Sequence, residues 1–176
     1  MGRQIVLLGH LTLRQRAQPV ARVTDATRAL IAVMFDAMHE RKGIGLAANQ
    51  VAESLRVFIT NAPDDHERVF INPEIVETSI ETEVIEEGCL SIPGVNADIE
   101  RPSRVRVQAL NLKGRPFVVE ATEMLARVVQ HELDHLNGRL FIDHLDWQER
   151  QRVLDEYAVL RGSDNTEAAT PSTAEA

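Results

Sequence analysis

The stretch TEMLARVVQHELDHLN, residues 122–137, decides how this chain of 176 residues is expected to fold. Thr122 can cap a helix at its start, and Gly138 lies at the expected C-terminal exit. Apart from a stripe of polar residues and from Glu123, His131, Glu132 and His135, the positions between them are mostly apolar. The polar residues spaced by three and four positions, which form one stripe, are Arg127, Gln130 and Asp134. The pattern predicts a mostly buried helix with sheets packed on several of its sides.

Within this helix lies the motif His131-Glu132-Leu133-Asp134-His135. Residues four apart on a helix lie one turn apart on the same face, so both imidazoles can reach one metal ion. Glu132 follows His131 by about 100° around the helix axis, close enough to reach a water molecule held by that metal. Two unrelated histidines are the alternative, but a pair enclosing a glutamate on an apolar helix favours a metal site with a carboxylate base.

Two histidines do not complete such a site, because a catalytic metal usually takes three protein ligands and keeps one position open. One class of metallopeptidase has a third histidine where this chain has Phe141, which cannot bind metal. A second class of metallopeptidase uses a glutamate on a later helix as the third ligand, and Glu156 lies on a later predicted helix of this chain. Cys89 offers a soft thiolate suited to iron or zinc. A metallopeptidase using Glu156, an enzyme using Cys89 and a non-catalytic metal-binding module therefore remain as hypotheses.

Three segments in this order and spacing resemble the peptide deformylase family of bacterial type. They are GIGLAANQ at residues 43–50, EGCLS at residues 87–91 and QHELDH at residues 130–135. The resemblance extends from about Ile5 to Leu145, and the joint match of the three segments is far more specific than any one of them.

The resemblance implies a role for each matched position. The metal ligands would be Cys89, His131 and His135. Glu132 would act first as general base and then as general acid. The side-chain amide of Gln50 and the backbone N–H of Leu90 would donate to the developing oxyanion. The residues expected to bind the substrate are Ile44, Gly45, Ile85, Met124, Arg127 and Val128, with Arg127 near the mouth of the pocket.

The activity implied by the resemblance is metal-dependent hydrolysis of the N-formyl group from N-formylmethionyl nascent peptides. A water molecule held by the metal would be the nucleophile, and the products would be formate and a free N-terminal methionine. The cofactor would be one divalent metal ion, Fe²⁺ in the cell, with Zn²⁺, Ni²⁺ or Co²⁺ able to occupy the same site. Because the substrate emerges from the ribosome, the ribosome near the nascent-chain exit is the expected partner.

Some positions depart from the usual family pattern. Asn49 stands where proline or threonine is more usual, and Asn96 stands where many relatives carry arginine. The pair His10-Leu11 replaces Asp-Pro near the N-terminus. None of these changes removes a catalytic group, but Asn96 leaves the preference beyond the N-terminal methionine open. We also infer that Glu87 pairs with Arg101 to hold the cysteine loop, the alternative being two solvated charges.

The remaining elements predict an α+β fold, with antiparallel sheets packed around the central buried helix that carries the His-Glu-x-x-His motif and with a C-terminal helix. A first helix is expected over 25–41, where Thr24 or Asp25 can cap it, and a last helix over about 147–161. The predicted strands are 55–60, 69–72, 104–111 and 116–121, the last two forming a hairpin.

Composition narrows the functional classes. The net charge of −8 disfavours general binding to nucleic acid, and no run is long and apolar enough to span a membrane. The absence of a secretory signal pattern and the single cysteine suggest the cytoplasm. We expect residues 1–161 to form a single catalytic domain and residues 162–176 to form a disordered tail, since the tail lacks large apolar residues.

Overall fold

The computed structural model describes residues 4–63 and 65–167 of the chain, with side chains described up to Gly162. These residues form seven strands and three α-helices, arranged as an α+β fold. The strands are β1 (Gly45–Ala47), β2 (Val57–Thr60), β3 (Arg68–Thr78), β4 (Thr82–Cys89), β5 (Ile92–Pro102), β6 (Arg104–Leu110) and β7 (Pro116–Thr122). The helices are α1 (Asp25–Glu40), α2 (Glu123–Leu136) and α3 (Trp147–Glu167).

Two antiparallel sheets enclose the central helix. The larger sheet has the strand order β1-β2-β3-β6-β7, and β4 and β5 form a separate two-stranded sheet. Helix α2 packs against both, contacting β1, β2 and β7 on one side and β5 on another. The predicted fold class is therefore confirmed, and the motif-bearing helix lies at the junction of the two sheets.

Helix α1 begins as predicted, because the Thr24 side chain accepts a hydrogen bond from the backbone N–H of Thr27. Its buried stripe includes Leu30, Met34 and Met38, which pack into the core beneath β1 and β2. Because the chain contains few aromatic residues, aliphatic side chains of this kind fill most of the interior.

Helix α2 departs from the prediction at its start. Thr122 occupies the N-cap position but its side chain makes no capping hydrogen bond. Glu123 has a φ of +52°, in the left-handed region, which turns the chain sharply between β7 and the helix. The helix is mostly buried, as predicted, and burial extends to two residues of the polar stripe: Arg127 and Gln130 are bonded to backbone carbonyls of the neighbouring sheet.

Strand β3 is longer than predicted, and strands β4 and β5 were not predicted. Strand β3 continues to Thr78 because a positive φ at Asn72, followed by Pro73, introduces an irregularity after which pairing with β6 resumes. The β4–β5 hairpin was not predicted from the sequence at all. Its buried positions on β5 alternate as in any half-buried strand, but one of them is the charged Arg101, which breaks the apolar pattern.

The C-terminal helix was predicted to end at Arg161, whereas α3 extends to Glu167. The rest of the predicted tail, residues 168–176, lies outside the described residues. Among the described residues, no helix combines the length and the apolar composition needed to cross a membrane.

Candidate metal centre

The side chains of Cys89, His131 and His135 meet at one point. Their potential ligand atoms all lie within 4.8 Å of one another, and Cys89 Sγ is 3.2 Å from His135 Nε2. The two histidines come from one face of α2, and the cysteine comes from the last position of β4. The tertiary fold therefore brings together residues that are more than forty positions apart in the chain.

This donor set fits a divalent transition metal. A thiolate and two imidazoles form the kind of three-ligand set that catalytic zinc and iron sites use. The surroundings of Cys89 would raise its pKa by burial, but His135 and His131 outweigh that effect and hold the thiol pKa well below its usual value. A ligand that is readily deprotonated is what metal coordination by cysteine requires.

Glu156, the alternative third ligand, lies elsewhere. It is on α3, its side chain is about half exposed at 49%, and its carboxylate is 3.0 Å from Arg152 Nη1. Among the residues that the structure describes, it does not belong to a potential metal-binding group. The geometry therefore favours Cys89 over Glu156.

A buried carboxylate orients one of the two histidines. Glu87 Oε2 lies 3.0 Å from His131 Nδ1, which leaves Nε2 of the ring free to coordinate a metal. The same carboxylate accepts from Arg101 Nε at 2.6 Å and from Arg127 Nη1 at 2.9 Å. The predicted pairing of Glu87 with Arg101 is confirmed. Although burial alone would raise the pKa of Glu87, His131 and Arg101 hold it far below its ordinary value.

Arg101 extends this network toward the outside of the site. Its Nη1 donates to Asp134 Oδ2 at 2.8 Å, and Asp134 Oδ2 also lies 2.7 Å from His144 Nε2. Strand β5, helix α2 and the turn around His144 are thereby tied together by charged groups. Fully paired buried ions of this kind fix geometry more than they add stability.

Glu132 is placed as a buried carboxylate beside the metal ligands. It is only 3% exposed, and burial raises its pKa to about 7 despite the opposing effect of His131 and His135. A Cβ atom on Gly45 would lie 2.4 Å from Glu132 Oε1 and 2.6 Å from Val128 Cγ1. Strand β1 can therefore approach the carboxylate only because residue 45 has no side chain.

The Gln50 side chain lies next to Cys89. Its Nε2 is 3.6 Å from Cys89 Sγ and donates to Ser91 Oγ at 3.1 Å, while its Oε1 accepts from the backbone N–H of Ala47 at 2.9 Å. The side chain is 2% exposed and thus held with its amide N–H groups toward the site. Such a fixed amide can donate to a negative charge that develops beside the metal.

A cavity of about 520 Å³ opens onto these groups. Five of the six predicted substrate-binding residues line it, and so do the predicted catalytic residues Gln50, Leu90 and Glu132. The substrate-binding residues among its walls are Ile44, Gly45, Met124, Arg127 and Val128. A volume of this size accommodates several residues of a peptide or a small organic ligand.

Ile85 and Arg127 stand apart from the other predicted substrate-binding residues. Ile85 is not among the lining residues; it pairs with Ile99 within the β4–β5 hairpin. Arg127 does line the cavity, but it is buried rather than free at the mouth, and its guanidinium bonds to Glu87 and to the carbonyl oxygens of Ile99 and Glu83. Its described bonds all go to groups of the protein itself.

Several lining residues were not predicted from the sequence. They include Lys42, Glu86, Ile92, Pro93, Gly94 and Val95. Most of them belong to the β4–β5 hairpin, so recognising its strand pattern would have pointed to them. Asn96, noted above as a departure from the family, lies in the same wall.

The fold and the site together define a class of protein: an α+β protein in which two histidines of a buried His-Glu-x-x-His helix and a cysteine of a neighbouring hairpin form a group that could hold a metal ion. The family model for polypeptide deformylase matches residues 2–151. The chain belongs to the polypeptide deformylase family.

Individual relatives agree with this assignment. The chain is 46% identical over 146 residues to a peptide deformylase of Acinetobacter baumannii, covering 82% of this chain and 83% of the relative. It is 44% identical over 160 residues to that of Treponema pallidum, covering 91% and 98%. A crystal structure of a peptide deformylase from Legionella pneumophila superimposes with a TM-score of 0.89 at 35% identity, covering 97% of this chain and 100% of that one.

Proposed function

We propose that this chain is a peptide deformylase, which hydrolyses the N-formyl group of N-formylmethionyl peptides to give formate and a free N-terminal methionine. The observation that carries the proposal is the convergence of Cys89, His131 and His135 within 4.8 Å, with Glu132 beside them at the end of a cavity. Membership of the family supports the same activity.

The metal ligands would be Cys89, His131 and His135. A divalent cation bound there would lower the pKa of a coordinated water and polarise the formyl carbonyl. Fe²⁺ is our proposal for the native metal, because the resemblance to the family implies it; the donor set itself suits Zn²⁺, Ni²⁺ and Co²⁺ as well. Glu87 keeps His131 in the tautomer that presents Nε2.

Proton movement is assigned to Glu132. Its carboxylate accepts a proton from the attacking water and later delivers it to the nitrogen of the departing peptide amine. A pKa raised to about 7 by burial suits both steps near neutral pH, since the group can hold or release the proton at little cost.

The oxyanion of the tetrahedral intermediate is assigned to two fixed donors, the Gln50 side-chain amide and the Leu90 backbone N–H. Loss of one such donor typically costs about 3 kcal/mol of transition-state stabilisation. The substrate chain would run along the wall formed by Ile44 and Gly45, and the methionine side chain would contact Met124 and Val128, which line the cavity. Arg127 would support this wall through Glu87 rather than bind substrate directly.

The remaining parts of the proposal concern the setting of the enzyme. Residues 1–161 would form one catalytic domain. The cytoplasm is the proposed location, because formylated chains are made there, and the ribosome near the nascent-chain exit is the proposed partner. Ribosome pelleting with and without nascent chains would test that partnership separately from activity.

The deciding experiment measures formate release from formyl-Met-Ala-Ser by the metal-loaded protein under anaerobic conditions. Glu132→Ala should lower the rate by roughly a hundredfold to ten-thousandfold while the bound metal is retained. Glu40→Ala, which removes an exposed carboxylate at the end of α1, should leave the rate unchanged. Absence of formate from the iron-loaded wild type would exclude the deformylase, and an unaffected Glu132→Ala variant would exclude the assigned mechanism.

A further inference from the structure

The Asn49 side chain contacts two backbone carbonyl oxygens from distant parts of the chain, and one of them belongs to the proposed metal ligand His135. The side chain is 1% exposed, and its Nδ2 donates to the carbonyl oxygen of His135 and, at 3.5 Å, to that of Thr12. Both partners are carbonyl oxygens, which can only accept, so the amide must face them with its nitrogen. A buried side-chain donor is therefore directed at the backbone of a proposed metal ligand.

The His135 carbonyl is one of the last carbonyls of α2, which lack partners within their own helix. The structure supplies them from other segments. The Leu136 carbonyl accepts from the Ala17 backbone N–H at 2.9 Å, and the His135 carbonyl accepts from the Gly138 N–H at 3.0 Å in addition to Asn49. Asn49 is thus a side-chain anchor of this helix end, and it acts at the residue that carries a ligand.

These contacts close a ring around the metal centre. From His135 Nε2 the ring passes to Cys89 Sγ at 3.2 Å and from there to Gln50 Nε2 at 3.6 Å. Gln50 follows Asn49 directly in the chain, and the Asn49 amide returns to His135 through its carbonyl. Apart from the chain bond between Asn49 and Gln50, each link joins two different segments, so displacing the Asn49 amide would let the Gln50 turn and the end of α2 separate.

We propose that Asn49 is a positioning residue for both functions of the site: it holds His135 in register with Cys89, and it holds the Gln50 amide in place beside Cys89, where it would face a bound metal. The inference rests on the proposed function for its catalytic part, while its metal-binding part stands on the contacts alone. It assigns a purpose to a residue at a position where proline or threonine, neither of which carries an amide, is more usual in the family.

The first test measures metal retention. Ni²⁺-loaded wild-type and Asn49→Ala proteins are challenged with excess chelator, and the rate of metal loss is followed. We expect loss from the variant to be roughly tenfold faster or more, as is typical when a group that orients a metal ligand is removed. In formyl-Met-Ala-Ser hydrolysis we expect kcat to fall while KM stays the same, because the Gln50 donor acts on the transition state.

Asn72→Ala is the matched control. The Asn72 amide also bridges two segments, donating to the Val20 carbonyl at 2.9 Å and accepting from the Val20 N–H at 2.8 Å, but it does so away from the cavity. This variant should lower the free energy of unfolding without changing metal loss or kcat. If Asn49→Ala behaves in the same way, Asn49 is merely structural and the proposal is overturned, although wild-type activity would still support the deformylase.

Asn49→Thr decides the matter if the alanine variant does not fold, since threonine is usual at this position in the family. Its hydroxyl is a donor on a shorter side chain, so we expect metal loss to be faster than in the wild type. Metal loss at the wild-type rate in Asn49→Thr, with no folded alanine variant to compare, would also overturn the proposal.

Discussion

Glu87 Oε2 lies 3.0 Å from His131 Nδ1, in a place where the carboxylate is also bound by two arginines and is almost completely buried. One acidic side chain therefore has two tasks. It bonds to the imidazole of a proposed metal ligand, and it pairs with Arg101 and Arg127, which are 4% and 5% exposed. Its loss should be felt in stability as well as in metal binding.

Replacing this carboxylate with its neutral isostere tests the second task, the pairing with the two arginines. In Glu87→Gln the buried Arg127 guanidinium loses its carboxylate partner and Arg101 keeps its pairing with Asp134 but loses that with Glu87, and we expect the free energy of unfolding to fall by about 3 kcal/mol. Denaturant unfolding of the metal-free protein measures this effect. Glu86→Gln, which alters the exposed neighbour, should change it by less than about 0.5 kcal/mol. Equal effects of the two substitutions would mean that the buried network does not stabilise the fold.

The third metal ligand can be identified by substitution. Cys89→Ala should abolish tight metal binding, because two imidazoles remain and most protein sites need a third ligand. Glu156→Gln should leave the metal content unchanged, since its carboxylate contacts Arg152 on the surface of α3. Metal analysis of the purified proteins after dialysis distinguishes them. Retention of metal by Cys89→Ala would contradict the proposed site.

Gly45 is expected to tolerate no side chain. In Gly45→Ala the new Cβ would meet Glu132 Oε1 at 2.4 Å and Val128 Cγ1 at 2.6 Å, so that either β1 or the carboxylate must move. Misplacing a catalytic group by about 1 Å can cost about a hundredfold in rate, and we expect kcat/KM to fall by about that factor. Gly162→Ala, whose Cβ would meet no atom within 4 Å, should be fully active.

Acid stability should depend on Asp143. Burial raises the pKa of this carboxyl, but hydrogen bonds from Arg14 and the Leu140 N–H, together with the charges of Arg14 and Arg150, outweigh burial, so the net pKa is below the ordinary value of 3.8. A group whose folded-state pKa is depressed contributes stability above its unfolded pKa and loses it as the pH falls through the folded pKa. The free energy of unfolding should therefore decline below about pH 3.8, and less steeply in Asp143→Asn.

Urea titrations at several pH values measure this dependence. Asp36→Asn, at an exposed position on α1, should follow the wild-type curve. Parallel curves for the wild type and Asp143→Asn would show that the link from Arg14 to Asp143 does not contribute to stability.

Some features of the fold could be predicted from the sequence because they depend only on residues that are close together in the chain. The His131–His135 spacing defines one helix face wherever the helix lies, and the alternation of Val105, Val107 and Ala109 marks a half-buried strand in any sheet. The capping of α1 by Thr24 likewise involves residues only three apart. These features were predicted correctly.

Other parts depend on contacts between distant segments, and local patterns misled. Arg127 and Gln130 looked like a polar stripe, yet they are buried because the β4–β5 hairpin supplies Glu87 and backbone carbonyls as partners. Arg101 interrupts the apolar pattern of β5 for the same reason. Its charge is neutralised by Glu87 and Asp134, which lie 14 and 33 positions away in the chain. Buried charged residues do not repeat at the period of a helix or a strand, so a sequence pattern does not reveal them.

By itself, the sequence determined that a buried helix presents two histidines and a glutamate, and that Cys89 and Glu156 could each supply another ligand. Only the tertiary structure decided between them, because the choice depends on which side chain a long-range hairpin places next to the helix. Helical spacing follows from backbone geometry within a few residues, whereas the distance from Cys89 to His135 is set by the packing of two sheets against α2.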